Sequence, residues 1–364
     1  MKIPTMLSTF ITAGLMLAGC GNVMNSNISP SSNNEVVDVY TTIYPLEDFT
    51  KKIGGEFVDV QSVLPPNVDA HSFEPSTKDM MNLADSDLFI YTGAGIEGFA
   101  EKAVESLKKE DVTIVKAADN IELLSVEEES HDHEEAAEEE SHDNHDGAAT
   151  EKEHESHHSS ENNGEADVHE EGEVHEDEHS GEEDEHAHAH GDVDPHVWLD
   201  PNLSIQLAEN IKNALIEKMP EKKKAFESNY NLLKKDLEKL DQDFKETVGN
   251  SKTKYLLVSH AAYGYWENRY GIDQIAISGL SPTQEPSQKE LEEIIEESKA
   301  HNIRYLMFEQ NVSPRVSEVI QKEIGAKSLT LYNLESITEE DRNKGEDYFS
   351  IMRKNLENIK MALN

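Results

Sequence analysis

Residues 127–190 divide this chain. In 64 residues they carry 27 Asp or Glu against a single Lys, together with 13 of the chain's 17 His. A stretch with a net charge of −26 and so few large apolar side chains buries too little surface to offset the entropy of ordering it. No core forms there, and a fold must be assembled from the flanking segments. The whole chain of 364 residues carries −43, which leaves −17 on the other 300, an acidic but ordinary globular balance. With 32 basic against 75 acidic residues, the clustered Lys and Arg that phosphate binding requires are missing, which argues against a nucleic-acid partner. The single Cys excludes a disulfide within the chain and any multi-cysteine metal site.

Residues 1–20 read as an export signal. Lys2 gives a positive start, and Phe10–Ala18 is an apolar run too short to span a bilayer. The run ends Leu17-Ala18-Gly19-Cys20, which resembles the bacterial lipobox, where Cys20 takes a lipid and becomes the first residue of the mature protein. Residues 21–35, rich in Asn and Ser with Gly and one Pro, read as a flexible tether. The expected location is extracytoplasmic, lipid-anchored to the cell membrane.

Strand and helix signals alternate on both sides of the tract. Before it, Val36–Thr42, Phe57–Leu64, Asp87–Tyr91 and Val112–Lys116 predict strands, with helices near Pro45–Gly54, Lys78–Ala84 and Glu97–Lys109. After it, Asn202–Lys218 predicts a helix stopped by Pro220. Lys222–Val248 places Phe226, Tyr230, Leu233, Leu237, Leu240 and Phe244 at spacings of three and four, an apolar stripe that fits a coiled coil or, as economically at about four heptads, a single long helix spanning two lobes. Alternation then resumes with strands at Lys254–Ser259, Ile272–Ile277, Ile303–Phe308 and Leu329–Tyr332, and helices at Ser287–His301, Ser313–Gly325 and Glu346–Leu363. This pattern predicts an α/β protein of two β/α lobes, each with a parallel four-stranded sheet, joined by one long backbone helix with a cleft between the lobes. The expected divisions are a first lobe at 36–126, a return segment at 191–220, a linking helix at 221–249 and a second lobe at 250–364.

Outside the tract only His71, His196, His260 and His301 remain. The first three follow predicted strands: His71 the second, His196 the return from the tract, His260 the first strand of the second lobe. Glu309 ends that lobe's third strand. In open α/β sheets, ligands sit at the carboxyl ends of the strands. Three imidazoles and a carboxylate suit a borderline cation such as Zn²⁺ in tetrahedral geometry, and four protein ligands leave no open position for a reactive water. His301 ends a predicted helix and is read as a surface residue.

Several segments in order resemble the metal-binding lipoproteins of bacterial ABC importers, in particular their zinc-uptake branch. They are Tyr44-Pro45-Leu46, the His71 loop with Phe73-Glu74-Pro75-Ser76, and Asp194-Pro195-His196-Val197-Trp198-Leu199-Asp200-Pro201. Ser259-His260-Ala261-Ala262-Tyr263-Gly264-Tyr265, Gly279-Leu280-Ser281-Pro282 with Glu285-Pro286-Ser287, and Phe308-Glu309-Gln310-Asn311 complete the set. The resemblance covers residues 36–364. It implies two lobes on a rigid helix, Zn²⁺ as cargo held by His71, His196, His260 and Glu309, and the permease and ATPase subunits of an importer as partners, with the protein a monomer. The manganese branch usually has a carboxylate at the place of His260 and Asp at that of Glu309, so His260 and Glu309 favour zinc.

The tract also resembles an insert of the zinc branch. Its histidines, His131, His133, His142, His145, His154, His157, His158, His169, His175, His179, His186, His188 and His190, with many carboxylates between them, make weak, exchangeable metal sites. The implied role is a loop that collects zinc and passes it to the cleft. Because imidazole must be neutral to bind, affinity is expected to weaken below about pH 6. A zinc hydrolase would need Glu309 as a base; the chain has no His-Glu-x-x-His on a predicted helix and no nucleophile elbow. Adhesins share the implied fold, but the acidic composition gives that role no specific support. Deleting residues 127–190 should lower the total zinc bound per chain, read by titration, and leave one tight site; loss of the tight site contradicts the division of labour.

Overall fold

β-branched and aromatic runs in each half pair in parallel, because the helix after each strand returns the chain to the same edge. A computed structural model describes residues 36–126, 193–310 and 315–364. The export signal with Cys20, the tether and the tract with its 13 His lie outside the described residues.

The first lobe contains β1 (Val37–Thr41), β2 (Val58–Ser62), β3 (Leu88–Tyr91) and β4 (Thr113–Lys116), in the order β2-β1-β3-β4. The second contains β5 (Tyr255–His260), β6 (Asp273–Ser278), β7 (Tyr305–Phe308) and β8 (Lys327–Thr330), in the order β6-β5-β7-β8. Every strand pairing within these two sheets is parallel. The inner strand β3, Leu-Phe-Ile-Tyr, is buried throughout, as expected where helices cover both faces. In each lobe the strand order reverses beside the first strand, and ligands collect at such a switch point.

The first lobe's helices are α1 (Tyr44–Gly54), α2 (Thr77–Ala84), α3 (Ala100–Leu107) and α4 (Pro201–Lys218). α5 (Lys223–Gly249) links the lobes. α6 (Gly264–Tyr270), α7 (Gln288–Ala300), α8 (Arg315–Ile324), α9 (Glu339–Lys344) and α10 (Tyr348–Ala362) complete the second. Ser76, Ser287 and Asp347 form capping boxes at α2, α7 and α10. At α4, the Asp200 carboxylate accepts from the Asn202 N–H and Pro201 opens the first turn.

The predicted fold class matches this architecture. α6 and α9 were not foreseen, since six or seven residues are too few to show a helical period. The last strand is two residues earlier than predicted, because pairing decides it: Tyr305 to Phe308 sit beside Lys327 to Thr330. The first strand of the second lobe extends one residue further, so His260 is its last residue.

α5 buries Phe226, Tyr230, Leu233, Leu237, Leu240, Phe244 and Val248, packing against α1, α4, α6 and α10. Its stripe belongs to one apolar cluster that runs from Val39 and Phe89 in the first lobe to Val258, Trp266 and Tyr348 in the second. A smaller cluster, Leu257, Ile275, Ile277, Leu306 and Ile320, lies on the other face of the second sheet. Polar bonds reinforce the junction. Trp266 Nε1 donates to Leu199 O at 2.7 Å, Trp198 Nε1 to Asn333 O at 2.7 Å, and Tyr348 Oη to Trp198 O at 2.8 Å. Arg342 grips Glu47 with two nitrogens at 2.6 and 2.9 Å. The residues flanking the tract meet: Ser125 and Val193 form an antiparallel bridge, and Asp194 N donates to Leu124 O at 2.8 Å.

Because one cluster spans both lobes, they should unfold together. Leu237→Ala, at a fully buried position on α5, is expected to lower stability by about 2–5 kcal/mol. In denaturant unfolding the whole chain should still show a single transition, at lower midpoint; two separate transitions contradict the shared core.

Candidate metal centre

Three loops and one strand end bring four side chains together. Asp69 Oδ1 accepts from His71 N at 3.2 Å, a local turn that presents the His71 ring. Asp194 does the same for His196, accepting from its N–H at 2.9 Å. His260 is carried by β5 itself. The fourth is Glu335, in the loop after β8. Leu334 before it holds φ 62°, an uncommon conformation for a leucine, and Asn333 Oδ1 accepts from Glu335 N at 3.2 Å. This turn folds the carboxylate over the end of the sheet.

One donor atom from each of His71, His196, His260 and Glu335 lies within 4.8 Å of all the others. His71 Nε2 is 3.3 Å and His260 Nε2 3.5 Å from His196 Nε2. Glu335 Oε1 is 3.7 Å from His71 Nε2 and 4.0 Å from His196 Nε2. A tetrahedral ion with bonds of about 2.0–2.1 Å separates its ligand atoms by roughly 3.3–3.4 Å, so small inward shifts complete a four-donor shell. His196 and His260 are fully buried and Glu335 nearly so; His71 is the least buried of the four.

The sequence reading had Glu309 as the fourth donor. The structure instead places it behind His260, with Oε1 against Nδ1, the ring nitrogen facing away from the cluster. Ser259 Oγ donates to the same oxygen at 3.2 Å. Glu309 follows β7, which lies directly beside β5, so its side chain reaches the back of the ring. His196 Nδ1 similarly lies 2.8 Å from Asp194 Oδ1. A carboxylate at Nδ1 fixes the tautomer that leaves the Nε2 lone pair free for a metal. Glu335 was missed although the strand-end rule applies to it: it follows the last strand of the second lobe, in Asn333-Leu334-Glu335. His301 is remote in role, its ring stacked on Tyr255 with centroids 3.4 Å apart.

Glu335 Oε2 accepts from Ala70 N at 2.9 Å, a bond across the cleft, and Tyr44 N donates to Glu335 O at 3.0 Å. Complete burial pushes its carboxyl up to about 8; His260 opposes this, and the Asp69 and Glu309 charges add to it. Burial alone lowers the pKa of His260, but Glu309, Glu335 and Asp69 outweigh that and hold it above its ordinary value.

These features define a two-lobed α/β protein with a cluster of three imidazoles and a buried carboxylate between its lobes that could hold a metal ion. The chain belongs to the family described as "Zinc-uptake complex component A periplasmic" (ZnuA), which matches residues 39–362. It is 35% identical over 326 residues to the zinc-binding protein AdcA of Streptococcus pyogenes serotype M3, covering 90% of this chain and 56% of that protein. The chain thus spans little more than half the length of that relative. It is 32% identical to the high-affinity zinc uptake system protein ZnuA of Bacillus subtilis, covering 96% of this chain and 94% of that one. Among solved structures, the Zn(II)-bound ZnuA-like domain of Streptococcus pneumoniae AdcA superposes with a TM-score of 0.65 at 31% identity, over 90% of this chain and 99% of that one.

Because Glu335 and His260 both bind protons more tightly folded than unfolded, each contributes stability that is full below its unfolded pKa and lost as pH rises through its folded one. The metal-free protein should therefore lose thermal stability as pH rises from about 4.5, the ordinary glutamate value, to about 8, and Glu335→Gln should flatten that decline. Zn²⁺ must displace the same protons, so titration calorimetry at pH 7 in buffers of different ionisation enthalpy should register proton release; identical heats in all buffers contradict the assignment.

Proposed function

We propose that the protein captures Zn²⁺ outside the cytoplasm and delivers it to the permease of a membrane ABC importer. The observation that carries this is the convergence of His71, His196, His260 and Glu335, four donor atoms within 4.8 Å of one another. Three neutral nitrogens and one oxygen match the ligand preference of Zn²⁺; Mn²⁺ prefers more oxygen. Membership of the zinc-uptake family supports the same reading. With four protein donors around the ion, no position is left for an activated water, so the site binds and releases rather than catalyses. Glu309 and Asp194 act as the carboxylates that orient His260 and His196.

Delivery fits the rest of the chain. Lipid on Cys20 holds the protein at the outer face of the membrane, where an importer's permease is accessible. The His-rich tract collects cations by weak, exchangeable coordination. The Ser125–Val193 bridge closes its base three residues before His196, so an ion leaving the tract travels a short path to the pocket.

Calorimetric titration of the intact chain should show one tight Zn²⁺ site above a background of weak ones, and far weaker binding of Mn²⁺. His196→Ala should weaken the tight site by more than roughly a hundredfold, since loss of an outer partner alone costs about 10–100-fold, and should leave the weak sites. Comparable Zn²⁺ and Mn²⁺ affinities, or a tight site that survives the substitution, overturn this reading.

A further inference from the structure

The geometry points to Asn333 as the residue that sets this pocket's metal specificity, by holding Glu335 to a single ligating oxygen and so keeping the shell at four donors. This rests on the zinc reading above. The three hydrogen bonds of the Asn333 side chain all serve the carboxylates of the site. Oδ1 accepts from Glu335 N at 3.2 Å, and Nδ2 donates to Glu335 Oε1 at 2.8 Å and to Glu309 Oε2 at 3.1 Å. The first bond shapes the turn through Leu334; the second fixes the oxygen that faces the imidazoles; the third ties that oxygen to the carboxylate behind His260. One amide therefore links the supports of two of the four donors.

The other oxygen of Glu335 is engaged as well, accepting from Ala70 N at 2.9 Å. A carboxylate held at both oxygens cannot rotate to chelate an ion through two, and one that rotates freely binds either way. That difference matters for selection. Zn²⁺ is satisfied by four donors, whereas Mn²⁺ favours an oxygen-rich shell of six. A cavity of about 20 Å³ lies alongside, lined in part by Asp69, Glu309, Gln310, Asn333 and Glu335, room for about one water. Truncating Asn333 enlarges that space and removes one of the two holds on the carboxylate, leaving only the Ala70 bond at Oε2; the group can then turn, and a second carboxylate oxygen or a water comes within reach of a cation that needs more than four ligands. The Asn333 carbonyl, which accepts from Trp198 Nε1 at 2.7 Å, is a backbone group retained in every variant at this position.

Asn333→Ala, and the milder Asn333→Ser, should be compared with the native chain at one equivalent of Co²⁺, whose visible absorption is intense in a four-coordinate site and weak in larger shells, and titrated with Zn²⁺ and Mn²⁺. In the alanine variant the Co²⁺ absorption should fall, and the preference for Zn²⁺ over Mn²⁺ should drop roughly tenfold to a hundredfold. The serine variant, with one donor left, should lie between. An unchanged absorption, an unchanged Zn²⁺ to Mn²⁺ ratio, or an equal loss of affinity for both metals overturns the role of Asn333. If far-ultraviolet circular dichroism shows the alanine variant unfolded, the serine variant decides by the same readings. A native chain that shows no intense Co²⁺ absorption removes the zinc reading itself, and this proposal with it.

Discussion

The pocket depends on a carboxylate being held where an isolated charge is unfavourable. Glu335 is 2% exposed, and a lone carboxylate at such a depth is costly unless it is hydrogen-bonded, protonated or matched by a cation. Here it is hydrogen-bonded at both oxygens, by Asn333 from its own lobe and by Ala70 from the other. Around it lie three imidazoles whose far nitrogens or flanking loops are held by further carboxylates. The arrangement pre-positions its donors at close to the spacing of a tetrahedral shell, and its electrostatics favour a cation, or protons in place of one.

The same bonds make the lobes act as one body. α5 buries its apolar stripe in a core common to both lobes. Trp198, Trp266, Tyr348 and Arg342 then bind the return segment and α1 to the second lobe through buried or bidentate contacts. A hinge between the lobes would have to break these together. Movement of a single loop is less costly, and His71, the least buried donor, stands on a loop after β2.

The chain's own residues made much of this legible. Apolar runs of strand length placed all eight strands, the spacing of Phe226 to Phe244 placed the linking helix, and elimination of the tract left three histidines at strand ends that the structure brings within reach of each other. The fourth donor was not legible in the same way. Glu309 and Glu335 both stand beyond strand ends, one directly and one past a turn. Which of them faces the imidazoles depends on the order of β5, β7 and β8 and on the left-handed turn at Leu334, features that no periodicity announces. α6 and α9 escaped for a related reason: their few residues are held by tertiary contact rather than by a repeating apolar face.

Composition, hydrophobic period and the scarcity of histidine outside the acidic tract were enough, by themselves, to determine the class of fold, the helix that joins its halves and the imidazole chemistry of the cleft, because each is a local property of the chain. The tertiary structure alone decided which carboxylate faces the imidazoles and which one stands behind His260, how far apart the four side chains lie, and that one asparagine bonds to both acids. Those are contacts between segments up to 265 residues apart, and only packing of the two lobes against a shared core sets their distances.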